Sequence, residues 1–600
     1  MIFFCMQDGV RWPSYNFPNT PDSIALDAYL RHKSKFLEAA INRLAEQAVF
    51  NHPHGDCLYM ASEKTAPGSR IAIIGAGVGG VTFAIGLQKR LGFHDFTIFE
   101  QGTDVGGTWR DNTYPGCCSD VPTHWYSLSS EPNPYWSRTH VPQSEIQAYW
   151  QSLARKYGLY TRTSFRTCVS SAAWDDERSV WVIELEDLQT GARRTEEAEI
   201  LVSAVGLLGE PRYPTKLEGR DRFKGELLHS ARWNHGIDLR DKRVAVIGNG
   251  CSGVQLVPEI VKESGVSVVN FCRTPSWLIH TPRGEFKEWH KWIFAHIPMA
   301  MRAYRAWIML QHEMMWPLFS SGQSKNRAKV EETIKGFIRS VAPESYHDQL
   351  MPNYPLACKR LVVDTGYLAA LHRPNLDLNW DGIAEITEDG IRTQKGENIT
   401  FDIIIFSTGY VADTYPVPVR GKNGRTIQQY FDSQGGPTAY RSVGIPGFPN
   451  FYMLGGPNSN TSIGSVIFFE ECQAEYILQL CAPVLSRSVR SFTITQSACD
   501  AYNADIQARI SRAVYPQCNS WYRAAEGTGK NFSIFPGPLT RFWWIMRSPI
   551  WDDYEVQGAE KWKPRSKLAR VVKCVGLGVA LACTALVWLN PTQGGRIWST

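Results

Sequence analysis

From Ser69 onward, short and mostly apolar runs alternate with longer stretches of helical periodicity. Four of these runs are the clearest: Ile71–Ile74, Phe96–Phe99, Val244–Ile247 and Val266–Phe271. Such runs are typical of strands that are covered by helices on both faces of a parallel sheet. The pattern therefore predicts an α/β chain built on doubly wound, Rossmann-like sheets.

The first run leads directly into a glycine-rich turn. Ile71-Ala-Ile-Ile-Gly75-Ala-Gly77-Val-Gly-Gly80 is a strand followed by Gly-x-Gly-x-x-Gly and an apolar helix. In such a motif Gly75 permits the tight turn, Gly77 admits a pyrophosphate and Gly80 allows close helix packing. The helix N-terminus favours the negative charge. Glu100 stands twenty-five residues after Gly75, where a carboxylate can accept hydrogen bonds from ribose hydroxyls.

A second motif repeats this pattern but ends on a different residue type. It runs Val244-Ala-Val-Ile-Gly248-Asn249-Gly250-Cys251-Ser252-Gly253, and Arg273 followed by Thr274 stands in the place of the acid. A guanidinium pairs with a 2′-phosphate, whereas a carboxylate would repel it. The first site is therefore predicted to bind FAD and the second NADPH, with hydride passing from nicotinamide to flavin.

The rest of the chain divides by composition. Residues 285–341 carry Trp, Met, Arg and Lys at helical spacing, which predicts a helical insertion. In chain order we expect an N-terminal extension (1–65), an FAD-binding domain, first part (66–210), an NADP-binding domain, first part (211–280), the helical insertion (281–345), the second part of the NADP-binding domain (346–395), the second part of the FAD-binding domain (396–545) and a C-terminal tail (546–600).

The C-terminal tail contains an apolar stretch. Val571 to Leu589 is apolar except for Lys573, and five basic residues precede it between Lys561 and Arg570. The unbroken part is shorter than the roughly 20 residues that span a bilayer, but Lys573 can extend it by snorkelling. Basic residues on the N-terminal side would keep the catalytic part in the cytoplasm. Residues 571–589 are thus a candidate membrane anchor, with a helix docked on the protein surface as the alternative.

The composition of the chain restricts the kinds of ligand and partner that we expect it to bind. The chain is 43% hydrophobic and 20% charged, and its net charge of +5 is not arranged as a basic stripe among aromatic residues, so nucleic acid is not expected. The 14 cysteines are scattered without a Cys-x-x-Cys pair. We therefore expect no metal site, no disulfide framework and a reducing compartment, with Cys117 and Cys118 as packed thiols. The apolar start of the chain is too short for a secretory signal.

Several further segments resemble class B flavoprotein monooxygenases and, among them, the Baeyer-Villiger monooxygenases. The resemblance covers about residues 69–545. Its segments are Gly106-Gly-Thr-Trp-Arg-Asp-Asn-Thr-Tyr-Pro-Gly-Cys-Cys-Ser-Asp120, Phe223-Lys-Gly225-Glu-Leu-Leu-His229-Ser-Ala-Arg-Trp233, Cys358-Lys-Arg360 and Phe406-Ser-Thr-Gly-Tyr410. The family has Pro or Asp where Asn234 stands, which weakens the Baeyer-Villiger assignment. Trp233 favours it, because nitrogen- and sulfur-oxidising members usually lack tryptophan there.

The resemblance implies roles for individual residues. Arg360 matches the arginine that stabilises the anionic oxygen species, and a guanidinium suits this role because its charge survives burial. Asp120 matches its carboxylate partner, and Lys359 joins Arg273 and Thr274 at the 2′-phosphate. A structural ion pair is the alternative for Arg360 and Asp120. The positions implied to line the flavin are Thr108, Trp109, Arg110, Asp111, Cys118, Ser119, Asp120, Val121 and Tyr126.

The same resemblance implies supporting roles for residues in three other segments. His229 and Trp233 are interpreted as linker residues between the nucleotide domains rather than as acid-base groups. The segment from Gly455 to Ser465 resembles the one that closes over the flavin. Trp521, in a late loop that starts at Cys518, is a candidate wall of the substrate pocket.

The resemblance implies an NADPH- and FAD-dependent monooxygenase that uses a C4a-peroxyflavin to convert a ketone into an ester or lactone. Its substrates would be dioxygen and a small organic molecule, such as a ketone of secondary metabolism. The alternative is a flavin monooxygenase that hydroxylates or oxygenates nitrogen or sulfur. A disulfide-type flavin reductase is disfavoured, because it needs a cysteine pair near the first motif. Retention of Arg360, Asp120 and Lys359 argues against a tethered flavoprotein without turnover.

Overall fold

The computed structural model describes residues 71–560 and 562, apart from 216, 320–323 and 463. The chain divides into two compact units, Met1–Cys57 and Leu58–Thr600, and every described residue belongs to the second. The predicted N-terminal extension and the candidate anchor at 571–589 lie outside the described residues.

Regular elements alternate along most of this unit. The strands in chain order are β1 Ile71–Ile74, β2 Phe96–Phe99, β3 Thr163–Ser164, β4 Thr167–Asp175, β5 Val180–Asp187, β6 Arg193–Ala198, β7 Ile200–Ser203, β8 Glu226–His229, β9 Arg243–Ile247, β10 Ser267–Phe271, β11 Leu278–Ile279, β12 Val362–Val363, β13 Leu376–Asn379, β14 Ile383–Ile386, β15 Gly390–Thr393, β16 Asn398–Thr400, β17 Ile403–Phe406, β18 Val419–Arg420, β19 Phe451–Met453, β20 Ser491–Ile494 and β21 Tyr554–Gln557. The four strands predicted from the apolar runs are β1, β2, β9 and β10, within one residue at each end.

The helices follow the same alternation. In chain order they are α1 Val78–Leu91, α2 Thr108–Asp111, α3 Gln143–Lys156, α4 Cys251–Ile260, α5 Glu288–His296, α6 Ala300–Met315, α7 Ser324–Val341, α8 His347–Leu350, α9 Tyr367–Ala370, α10 Ile427–Ser433, α11 Val466–Leu485, α12 Gln496–Ser511, α13 Ala524–Gly527 and α14 Leu539–Met546. Short 3-10 turns lie at Leu159–Arg162, Arg220–Arg222, Ser230–Arg232, Trp316–Phe319, Glu344–Tyr346, Tyr515–Gln517 and Trp551–Asp553.

Two parallel five-stranded sheets form the framework. The first has the order β19-β7-β1-β2-β3, and the second has the order β13-β10-β9-β17-β8. All strands of the second sheet lie in the sequence between β7 and β19, so the second sheet is inserted into the first. The predicted pair of doubly wound sheets is therefore confirmed, whereas the exact domain limits stay a prediction.

Both sheets are buried because their central strands carry apolar side chains on both faces. Every residue of β1, β7 and β17 is buried. On the first sheet α1 packs against α11, a long helix that is almost wholly buried. This packing fixes the glycine turn at the start of α1 against the end of the sheet, where open α/β folds bind ligands.

Smaller sheets with antiparallel and parallel pairs, together with the insertion, complete the fold. One sheet has the order β18-β4-β5-β6, another has β14-β15-β16, and two strand pairs are β11-β12 and β20-β21. Helices α5, α6 and α7 lie within the stretch interpreted as a helical insertion. Buried Arg305 of α6 donates a hydrogen bond to the carbonyl of Ser127 at 3.0 Å, which holds the insertion against the segment that follows Asp120. Among the described helices, none has the length and apolar character needed to cross a bilayer.

Candidate active site

Both glycine turns lie at the carboxyl ends of central strands and need glycine for reasons of backbone geometry. Gly75 follows β1 with φ +100°, and Gly248 follows β9 with φ +113°. A Cβ at Gly80 would lie 2.0 Å from the carbonyl oxygen of Gly75, and one at Gly253 would lie 2.2 Å from that of Gly248. The close helix packing that the sequence assigned to Gly80 and Gly253 is therefore visible in the fold itself.

The middle glycine of each turn is different, because the fold leaves space beside it. A Cβ on Gly250 would meet nothing within 4 Å, and one on Gly77 would come no closer than 3.7 Å to the Cα of Gly107. Both residues have negative φ, −71° at Gly77 and −80° at Gly250. The fold does not demand glycine at these two positions, whereas a pyrophosphate held against the helix N-terminus does. Each turn thus fits a dinucleotide.

This difference gives a matched pair of variants in the second turn. Gly250→Ala should leave the melting temperature nearly unchanged and raise KM for NADPH about tenfold or more, equivalent to ~1.4 kcal/mol. The added methyl group meets no protein atom but occupies the ligand's approach. Gly253→Ala should instead lower the melting temperature, because its methyl group meets the Gly248 carbonyl. Wild-type NADPH kinetics in soluble Gly250→Ala protein would remove this turn from the cofactor site.

The carboxylate of Glu100 is held against the first glycine turn. It accepts hydrogen bonds from the backbone N–H of Ala76 at 2.8 Å and of Gly102 at 2.7 Å, and it pairs with Arg110 at 2.7 Å. Arg110 also pairs with Asp111 at 2.7 Å. Three of the residues assigned to flavin binding therefore form one network. The carboxylate oxygens keep lone pairs that a ribose hydroxyl could use.

A second glycine segment completes the first turn. Gly106 and Gly107 lead into α2, whose first residue is Thr108, and the ideal Cβ of Gly107 would lie 2.9 Å from the Cα of Gly77. Side chains would separate these two backbones. Their close approach leaves a cradle lined by main-chain atoms beside Gly77, which suits an extended phosphate-bearing ligand.

The second turn is joined to two cationic residues. The side chain of Asn249 donates a hydrogen bond to the carbonyl of Thr274 at 3.0 Å, next to Arg273. Burial lowers the pKa of Lys359, and the charge of Arg273 lowers it further, so the two cations lie within electrostatic range of each other. Neither has a carboxylate within ion-pair distance in the described part of the chain. Two adjacent cations without a counter-ion suit a dianion such as a 2′-phosphate.

The Arg360–Asp120 ion pair predicted from the sequence is present and largely buried. Nε and Nη2 of Arg360 donate to one carboxylate oxygen of Asp120, at 3.1 and 2.7 Å. The two side chains are 19% and 25% exposed. Nη1 donates to the carbonyl of Ser462 at 3.2 Å, in the segment interpreted as closing over the flavin. Burial is the largest single influence and lowers the pKa of Arg360, but Asp120, Tyr522 and Cys251 together raise it more, so the net pKa lies above its ordinary value and the charge is permanent.

The ion pair lies where four parts of the chain meet. Asp120 belongs to the segment after the first dinucleotide turn, and Ser462 precedes α11. Cys251, the first residue of α4 in the second dinucleotide motif, and Tyr522 of the late loop both act on the pKa of Arg360. The ion pair therefore joins Arg360 to the segment that follows the first dinucleotide motif, and it lies within electrostatic range of Cys251 in the second motif.

The aromatic residues assigned to the flavin contact each other. Nε1 of Trp109 donates to the hydroxyl of Tyr126 at 3.0 Å, and the rings meet edge to face at 5.5 Å. Burial raises the pKa of Tyr126, with the charge of Asp120 among the smaller causes. Trp109 and Tyr126 therefore form one aromatic pair within electrostatic range of Asp120.

Gln255 of α4 is a functional residue that the sequence did not reveal. Its side chain accepts a hydrogen bond from the hydroxyl of Tyr114 at 2.8 Å and donates one to the carbonyl of Cys118 at 3.1 Å. Ser119, next along the chain, donates to the carbonyl of Val121 at 2.7 Å. These bonds fix the segment that carries Asp120 against the NADP-motif helix. In the sequence, the only signal for this role is a glutamine among the apolar residues of a helix. The structure shows that this glutamine is buried.

His229 supports the fold rather than proton transfer. It is 1% exposed, and its Nδ1 accepts the backbone N–H of Ala231 at 3.1 Å. Burial lowers its pKa to about 4, so the ring is neutral at physiological pH. Its ring meets those of Tyr213 and Tyr410 edge to face at 5.4 and 6.2 Å. His229 thus connects the end of β8 with the segment after β17, its neighbouring strand in the second sheet, and its role as a linker between the nucleotide domains stays a prediction.

The expectation of no disulfide is wrong. Cys358, two residues before Arg360, is bonded to Cys518 of the late loop, with Cα atoms 6.1 Å apart. The two cysteines are 160 residues apart in sequence, and only the folding of the late loop onto the Arg360 segment brings them together. Cys117 and Cys118 are free thiols, as predicted.

Trp521, the candidate wall of the substrate pocket, is 42% exposed, and its ring centroid lies 4.8 Å from that of buried Tyr522.

Two dinucleotide turns on two parallel sheets, together with a buried Arg360–Asp120 ion pair, are the features of a flavin- and nicotinamide-dependent oxidoreductase. The model of the flavin-binding monooxygenase-like family matches residues 68–292. The chain is 32% identical over 544 residues to the FAD-binding monooxygenase ktnD of Aspergillus niger, which covers 86% of this chain and 88% of that protein. It is 34% identical over 500 residues to a Baeyer-Villiger monooxygenase of Pseudomonas aeruginosa, covering 82% and 92%.

Solved structures agree with these relatives. Oxidized steroid monooxygenase bound to NADP aligns with a TM-score of 0.67 at 25% identity, over 81% of this chain and 99% of that one. The chain therefore belongs to the family of flavin-binding monooxygenases that the resemblance implied.

Proposed function

We propose that this chain is an NADPH- and FAD-dependent Baeyer-Villiger monooxygenase that inserts one atom of dioxygen beside a ketone carbonyl. The observation that carries the proposal is the buried, permanently charged Arg360, paired with Asp120 in a chain that has two dinucleotide turns. Relatives that cover most of the chain are named as FAD-binding and Baeyer-Villiger monooxygenases, which supports it.

The residues of each turn suit one cofactor. Gly75, Gly77, Gly80 and Glu100 would hold FAD, together with the residues from Thr108 to Tyr126 that the sequence assigned to the flavin. The second turn would hold NADPH, with Arg273, Thr274 and Lys359 at its 2′-phosphate. When bound, the two cofactors supply the hydride transfer and the two-electron activation of dioxygen that the reaction needs.

Arg360 would stabilise negative charge as it develops on oxygen. A fixed cation in a water-poor site acts more strongly on an anion than the same cation in water, because less solvent screens it. Asp120 orients the guanidinium and reduces the free-energy cost of burying it. The carbonyl of Ser462 accepts a further hydrogen bond and holds the side chain in place. These contacts leave part of the guanidinium free to face a ligand.

The competing function is oxygenation of nitrogen or sulfur. Such reactions transfer an electrophilic oxygen and do not build an anionic addition intermediate on a carbonyl carbon, so a buried cation contributes less to them. Trp233 in the fingerprint segment also favours the Baeyer-Villiger reaction.

A substrate panel tests the proposal. The purified holoenzyme would be incubated with NADPH, labelled dioxygen and sets of ketones, sulfides and amines, with terpenoid and polyketide ketones among them. We expect esters or lactones that carry one labelled oxygen atom, identified by mass spectrometry. Turnover of amines or sulfides without any ketone product would favour the alternative instead.

We also propose that residues 571–589 anchor the enzyme to a membrane, with the catalytic part in the cytoplasm. The support is the apolar sequence and the basic residues before it. Deleting residues 566–600 should move the enzyme from the membrane pellet to the supernatant without changing its cofactor content. A full-length chain that is recovered in the supernatant would contradict the anchor.

A further inference from the structure

The Cys358–Cys518 bond joins the segment that carries Arg360 to the late loop. Cys358 is buried and lies in a stretch without regular structure between α8 and β12, two residues before Arg360. Cys518 is partly exposed and ends the 3-10 turn Tyr515–Gln517, shortly before Trp521 and Tyr522. The bond therefore connects the catalytic arginine's own segment to the late loop.

Noncovalent contacts also hold the Arg360 segment. The hydroxyl of Ser462 donates to the carbonyl of Ala357 at 3.4 Å, the backbone N–H of Leu356 donates to Glu331 at 2.8 Å, and β12 pairs with β11. The disulfide is the covalent restraint between this segment and the late loop. Tyr522, four residues after Cys518, is buried and close enough to Arg360 to act on its pKa. Movement of the late loop would thus alter the surroundings of Arg360 directly.

The other cysteines that the structure describes are all free thiols: Cys117, Cys118, Cys168, Cys251, Cys272, Cys472, Cys481 and Cys499. The one disulfide in this part of the chain lies at the catalytic arginine and not at the periphery. Cys518 is partly exposed, so thiols in solution can approach the bond from the side of the late loop.

We propose that Cys358 and Cys518 are positioning residues, and that their disulfide is a reversible tether that holds the late loop against the Arg360 segment. This inference rests on the proposed function. With the tether closed, Arg360 and the late loop keep one arrangement and NADPH consumption is coupled to oxygenation. With both thiols free the loop can separate, water enters, and more of the reducing equivalents leave as hydrogen peroxide.

Hydrogen peroxide is itself a suitable oxidant for closing the tether. One thiolate attacks a peroxide oxygen, the O–O bond breaks, and a sulfenic acid and one water molecule form. The second thiolate attacks that sulfur, the S–S bond forms, and the departing hydroxide takes a proton to give the second water. In total two thiols and one peroxide give a disulfide and two waters. An uncoupled enzyme would thus produce the oxidant that restores coupling, and cellular thiols would reverse the step.

The test compares the holoenzyme in its two redox states with variants. Peptide mapping without reductant should find Cys358 and Cys518 in one cross-linked peptide, and dithiothreitol should release it. Reduction should raise KM for the ketone and the peroxide formed per NADPH, each by about tenfold, since a small misplacement of catalytic groups has effects of this size. The rate of NADPH-dependent flavin reduction and the flavin content should not change.

Variants separate this role from a purely structural one. Cys518→Ser, at the more exposed partner, should behave like reduced wild type and be insensitive to dithiothreitol. Cys168→Ser, at a free cysteine on β4, should respond to dithiothreitol as wild type does. Trypsin should cut the reduced protein faster than the oxidised one at Arg512 or Arg523, which flank the loop.

The possible outcomes separate a failure of the tether proposal from a failure of the proposed function. If no cross-linked peptide forms even after peroxide treatment, or if reduction changes neither proteolysis nor coupling, the tether is refuted. If cross-linking and proteolysis respond as expected but no ketone is oxygenated in either state, the tether stands as a restraint on the loop and the proposed function fails.

Discussion

Replacing Arg360 with alanine is expected to abolish oxygenated product while the enzyme still binds flavin and consumes NADPH. Loss of a group that stabilises developing negative charge on oxygen typically costs about 10²- to 10³-fold in rate. The reducing equivalents should appear as hydrogen peroxide, because electron transfer from NADPH does not need this cation. The measurement is the ratio of product to NADPH consumed, together with peroxide and the flavin absorbance of the purified protein.

Two further variants test whether the effect is specific to the guanidinium of Arg360. Arg360→Lys should recover little activity, because burial lowers the pKa of an amine and a lysine cannot reproduce the bonds to Asp120. Arg339→Ala, at an exposed pair with Glu332, removes the same charge far from the ion pair and should resemble wild type. Full product formation by Arg360→Ala would exclude this residue from the mechanism.

Replacing Arg273 with alanine should change the choice of nicotinamide cofactor. A lost hydrogen bond to a charged group costs about 1.5–3 kcal/mol, so KM for NADPH should rise roughly 10- to 100-fold. KM for NADH, which lacks the 2′-phosphate, should change little. Steady-state kinetics with both cofactors measure the difference directly.

Lys359 provides an internal check on that assignment. Since both cations are placed to act on one phosphate, the effects of Arg273→Ala and Lys359→Ala should not add independently in the double variant. Arg240→Ala, at an exposed pair with Asp238 in the same part of the chain, should leave both KM values unchanged. Equal losses with NADPH and NADH in Arg273→Ala would contradict the phosphate site.

The sequence was most informative where local rules act over a few residues. Strands β1, β2, β9 and β10 were predictable because both of their faces are apolar, and the glycine turns were predictable because φ and packing restrict them. The contrast between Arg273 and Glu100 at equal spacing separated the two cofactors. The Arg360–Asp120 contact, between residues 240 positions apart, came from family resemblance and not from any local pattern.

Contacts between residues that are far apart in the chain could not be predicted from the sequence, for a physical reason. The Cys358–Cys518 bond, the Gln255 bridge and the Ser462 carbonyl on Arg360 depend on how loops return to the sheets, and no periodicity encodes this. The scattered cysteines, without a Cys-x-x-Cys pair, even suggested that this disulfide is absent. Loops carry few repeated patterns, yet they supply most of the groups around the ion pair.

The most direct test of the account is a crystal structure of the enzyme with FAD and NADP⁺ bound. We expect FAD on the first glycine turn, NADP⁺ on the second, and the Arg360 guanidinium within about 3.2 Å of a polar atom of the flavin or the nicotinamide, the range of a direct hydrogen bond. An Arg360 side chain that is still paired with Asp120 but separated from both rings by other side chains would contradict the central claim.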